Sequence, residues 1–151
     1  MPSPQRGVLH GHPFFSLLFN ANTTTMETNI QHLKEQLEQF HGSQQLFALP
    51  LCQTRYTEGI QFLATSANAF WLLTDASVMG KSLMSKSRFI TIDFKRYTQA
   101  EAETHGYDAV IAYSDGNGSV FTEQRYHITD FPLDQLRLFF VDNTLLLPSE
   151  Y

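Results

Sequence analysis

The hydrophobic pattern changes period once along this chain, and that change limits the folds open to it. Up to Gly80 the apolar residues recur at three- and four-residue spacing; from Arg88 onward they alternate. The first pattern is that of helices with one buried face, the second that of half-buried strands. Ile30, Leu33, Leu37 and Phe40 make one stripe of a helix over about Thr28–His41, with Thr28 or Asn29 as cap and Gly42 closing it. Leu46–Gln53 contains Pro50 and reads as an edge strand or extended connection. Thr57 caps a helix carrying Ile60, Leu63, Ala64 and Ala67, and Ala69–Met79 continues as a second short helix ending at Gly80. A strand over Phe70–Thr74 competes with that second helix. Trp71 is expected to be buried against the sheet.

Ile90, Ile92 and Phe94 alternate with Thr91, Asp93 and Lys95 in the first strand of the second half. Ala109–Tyr113 follows, then Asp115-Gly116-Asn117-Gly118, which supplies residues tolerant of positive φ for a tight turn. Ser119–Ile128 pairs back, Thr129–Asp134 connects, and Leu136–Phe140 and Thr144–Leu147 flank a turn at Asp142-Asn143. Helices first and strands afterwards predict an α+β domain, with about three helices packed on one face of a four- or five-stranded antiparallel meander sheet. That domain is expected to occupy residues 26–151. Residues 1–25, rich in Pro, Gly and polar side chains, read as an unstructured extension, with Met26 as an alternative start.

Composition narrows the function. The net charge of −5 argues against a whole-surface nucleic-acid binder. One cysteine, Cys52, excludes an intramolecular disulfide and any multi-cysteine zinc site, and fits a reducing cytoplasm. No run reaches the length of a membrane span, so no membrane partner is expected.

Several stretches occur together: Tyr56-Thr57-Glu58-Gly59, Phe70-Trp71-Leu72-Leu73-Thr74-Asp75-Ala76, Asp115-Gly116-Asn117-Gly118, Thr129-Asp130-Phe131-Pro132-Leu133 and Leu145-Leu146-Leu147-Pro148-Ser149-Glu150-Tyr151. In this order, over roughly Asn29–Tyr151, they resemble a family of small bacterial and phage or plasmid proteins known only as a domain of unknown function. The resemblance implies a mobile genetic element as the setting and brings no activity, cofactor or catalytic residue. The Lys- and Ser-rich stretch Gly80–Arg88 and the enlarged hairpin loop Thr98–Tyr107 depart from it.

Two groups of residues are candidates for a site. Lys81, Lys86, Arg88, Lys95 and Arg96 are five of the ten basic residues, facing Asp93 alone, and Phe89 and Tyr97 lie beside them. Aromatics among cations can stack bases, although lysines also protect edge strands. Asp75, Asp130 and His127 form a candidate polar cluster for acid–base work. Asp75 lies one turn beyond Trp71 in a largely apolar segment, so it needs a partner, with Arg55 and Arg88 the cations considered. Histidine spacing matches no metal motif, and the Asp115 turn lacks the distal Glu of a calcium loop. No cofactor or metal is expected. The leading expectation is a non-enzymatic accessory protein that binds a protein partner or a further copy of itself. A nucleic-acid module using residues 81–96 and a small hydrolase or ligand-binding enzyme are the alternatives.

Overall fold

The computed structural model describes residues 13–42, 45–127 and 129–151. The chain divides into two units, residues 1–35 and 36–151. Helix α1 spans Pro13–Glu38. It opens on a proline whose fixed φ suits a first helical turn, and no Gly or Pro interrupts it. It therefore starts well before the expected cap at Thr28. Of the predicted extension, residues 1–12 lie outside the described residues.

The second unit holds the sheet. In chain order come β1 (Leu46–Leu49), β2 (Thr54–Thr57), α2 (Glu58–Ser66), α3 (Phe70–Leu83), β3 (Phe89–Arg96), α4 (Gln99–His105), β4 (Ala109–Ser114), β5 (Val120–Tyr126), β6 (Gln135–Val141) and β7 (Thr144–Leu146), then a 3-10 turn at Pro148–Glu150. The sheet has seven strands in the order β1-β2-β7-β6-β3-β4-β5. The fold is α+β, but the expected antiparallel meander of four or five strands with about three helices is corrected. Four α-helices are present among the described residues, and β2 runs parallel to β7.

Several of these departures can be traced to named residues. Leu46–Thr57 folds into a hairpin, β1–β2, around the Pro50 turn, so β2 ends on the residue that caps α2: Thr57 Oγ1 accepts the Ile60 N–H. Helix α4 has no buried residue, hence no apolar stripe to read. Its signal is the capping box Thr98–Glu101, with both reciprocal hydrogen bonds present and Gly106 closing the helix at φ 85°. Strand β6 pairs with β3, not with β5, which gives a Greek-key order for β3–β6. The β5–β6 connection can cross because Phe131 and Leu133 within it are buried, and the Phe131 ring packs edge-on to Phe94 at 4.9 Å.

Ile90, Ile92 and Phe94 of β3, with Leu138 and Phe140 of β6, form the inner face of the sheet. Leu72, Leu73 and Ala76 of α3 and Ile60 and Leu63 of α2 are buried with them. Helix α3 does not stop at Gly80. A Cβ there would stand 2.6 Å from the Phe140 ring, so this glycine lets helix and sheet approach closely. No described helix is long and apolar enough to cross a membrane.

Candidate functional site

Helix α3 buries Leu72, Leu73, Ala76, Ser77, Gly80 and Leu83. That choice of face leaves Trp71 and Asp75, one turn apart, at its border with β5. Trp71 is half-buried, not enclosed as expected. Its ring lies 5.2 Å from Tyr126, tilted by 58°, and 6.2 Å from Phe131, nearly edge-on at 88°. Trp71, Tyr126, Thr129 and Asp130 line a hollow of about 310 Å³. Phe70 and Val78, on the outer side of the same helix, are 48% and 51% exposed.

Beneath the aromatic rim runs a polar chain. Tyr126 donates its hydroxyl to Asp75 Oδ2 at 2.8 Å and also lies 3.4 Å from Gln124 Oε1. Tyr113, fully buried, donates to the same Gln124 oxygen. Burial first, then the bond to Asp75 and its charge, raise the Tyr126 phenol above its ordinary range. Burial and the Asp75 charge do the same to Tyr113. Both phenols are thus held as hydrogen-bond donors. The partner of Asp75 is a tyrosine and not Arg55 or Arg88. Arg55 instead meets Asp142, at 3.6 Å from its carboxylate and 2.7 Å from its carbonyl.

Of the predicted polar cluster, Asp75 and Asp130 both flank the Trp71–Tyr126 pair. His127 does not join them. It is exposed and lines a separate hollow of about 540 Å³ with Arg96, Tyr97, Tyr107 and Asp108. The basic residues are not gathered into one patch. Lys81 donates to the Gln53 carbonyl at 3.2 Å. Lys86 and Arg88 are exposed at the α3–β3 junction. Lys95 pairs with Glu101 at 3.7 Å and stands over the Tyr97 ring at 5.5 Å. Arg96 has buried Nε and Nη2 atoms with no hydrogen-bond partner. Arg88 and Arg96 sit at opposite ends of β3, roughly 27 Å apart at the rise of an extended strand.

Phe131 is the site residue that sequence reasoning passed over. It stood in a stretch read as a connection, and its one signal was a large apolar side chain inside an otherwise turn-like segment. The arrangement as a whole is an aromatic trough with the Asp130 carboxylate in its lining and the Asp75 carboxylate behind Tyr126, bound to its hydroxyl. Aromatic faces attract cations, tryptophan most strongly, and carboxylates accept charged N–H donors. Neither Asp75 nor Asp130 is in an ion pair among the described residues. Among those residues, no group of three or more His, Cys, Asp or Glu side chains is placed to hold a metal ion.

A family model, the Family of unknown function (DUF6876), matches residues 31–151. No curated protein and no solved structure matches the chain.

Proposed function

The chain belongs to this family of unknown function, and we propose that it is a protein-interaction module that takes a basic side chain of its partner into the Trp71 hollow. The observation that carries this reading is the meeting of the Trp71 and Tyr126 rings with Asp130 in one hollow, Tyr126 being held in place by its bond to Asp75. An arginine or lysine entering there stacks on the indole and reaches a carboxylate at the same time. The exposed Phe70 and Val78 supply an apolar border on the same helix, and the net charge of −5 favours a basic partner. Tyr126, held protonated by burial and its bond to Asp75, serves the site as a hydrogen-bond donor. An accessory role on a mobile genetic element is the setting that the family resemblance supports.

Trp71 is the single tryptophan of the chain, so its emission reports directly on the hollow. Titration with short arginine- and lysine-containing peptides should change that emission saturably, and matched acidic peptides should not. Asp130→Asn should weaken binding by about tenfold, the equivalent of one charge-assisted contact. Emission unchanged by any basic peptide, or an unaltered affinity in Asp130→Asn, rejects this reading.

A further inference from the structure

We propose that β5 pairs with β5 of a second copy of this chain, antiparallel and centred on Gln124. Strand β5 is an edge of the sheet. The Tyr126 carbonyl is turned inward, where it accepts the Asp108 N–H at 2.8 Å. Backbone polar groups alternate in direction along a strand, so Tyr126 and Gln124 face β4 while Glu123 and Arg125 direct N–H and C=O groups outward. Pairing with Ala112 and Val110 puts Glu123 and Arg125 on one face of the sheet, and both are exposed.

These facts select one register. Centring the pair on Gln124 sets Glu123 opposite Arg125 of the other copy, twice by symmetry. Both are outward-facing positions, so each pair exchanges two ladder bonds and juxtaposes opposite charges. Centring on Glu123 would oppose two carboxylates, which is unfavourable. Charges on an edge strand normally deter pairing. Here the acid and the base are two residues apart, and a two-fold axis turns that spacing into complementarity. The Gln124 side chains stay on the helix side, bound to Tyr113 and Tyr126. The interface shares β5 with the Trp71 hollow, which Tyr126 lines. The charges that set its register, Glu123 and Arg125, lie outside that hollow, so charge reversal there tests the pairing without altering the peptide-binding residues.

Sedimentation of the full chain from about 1 µM to about 1 mM covers the range expected of a contact limited to one strand edge. The wild type should associate to a dimer. Glu123→Arg alone and Arg125→Glu alone each place like charges opposite one another and should weaken self-association by at least about tenfold. A mixture of these two variants should form a heterodimer, because arginines at 123 and 125 then face glutamates at 125 and 123. Unchanged thermal midpoints would show that both variants fold. A wild type monomeric throughout, single variants that dimerise as the wild type does, or variants that fail to pair when mixed would each overturn the assignment.

Discussion

Thr57 Oγ1 donates to Glu150 Oε1 at 2.6 Å, between residues 93 positions apart in the chain. Glu150 is buried, and its carboxylate also takes the Gly59 N–H at 3.1 Å and the Leu147 N–H at 3.0 Å. An acid at the start of α2 suits the positive end of that helix. Gly59 is required beneath it, because a Cβ there would stand 2.6 Å from both Glu150 Oε1 and Leu147 Cδ1. The C-terminal turn thereby fastens the helix layer to the β2–β7 region of the sheet.

Glu150→Ala should leave those donors without their acceptor in a buried place. The expected loss is about 3 kcal/mol, or roughly 6–12 °C in the thermal midpoint for a domain of this size. Calorimetry checks it. A change under about 1 °C would mean that solvent takes over the three bonds.

Gly80→Ala should destabilise by about 1–3 kcal/mol, since the added methyl meets the Phe140 ring. Phe140→Leu loses packing on its own. Combined with Gly80→Ala it should lose less than the two single effects together. Denaturant unfolding of the four proteins in that cycle measures the coupling.

Alkaline pH should weaken the fold through Tyr126. Its phenol is raised above the ordinary value of 10.0 by burial and by the bond to Asp75. The folded state therefore favours the protonated form, and that stabilisation is complete below pH 10 and lost as pH rises beyond it. Urea midpoints at about pH 8 and about pH 11 should diverge more for the wild type than for Tyr126→Phe. Equal slopes for the two proteins would remove Tyr126 as the cause.

Replacing Lys81, Lys86 and Arg88 together by alanine should leave the fold intact, within about 0.5–1 kcal/mol, because all three are exposed. With the cations spread along β3 and α3, labelled single- and double-stranded oligonucleotides should show no saturable anisotropy change at low salt. Tight, salt-dependent binding that this triple variant abolishes would restore the nucleic-acid reading.

What the sequence determined by itself is whatever neighbouring residues decide among themselves. The change of period separated helices from strands, and Thr57 announced the start of α2. Asp115–Gly118 forms the predicted turn: Asp115 Oδ1 accepts the Asn117 and Ser119 N–H groups, and both glycines take positive φ. Asp75 stood out because a carboxylate in an apolar segment needs a partner wherever the chain goes. The identity of that partner, the Tyr126 hydroxyl, was not legible. Nor was the pairing of β2 with β7, the seat of β6 beside β3, the reason for Gly80, or the scattering of the basic residues. Those depend on which faces meet after burial of Phe131, Phe140 and Leu147. Hydrophobic burial has no direction of its own, so only the assembled packing could choose among sheet orders that the same local pattern allows.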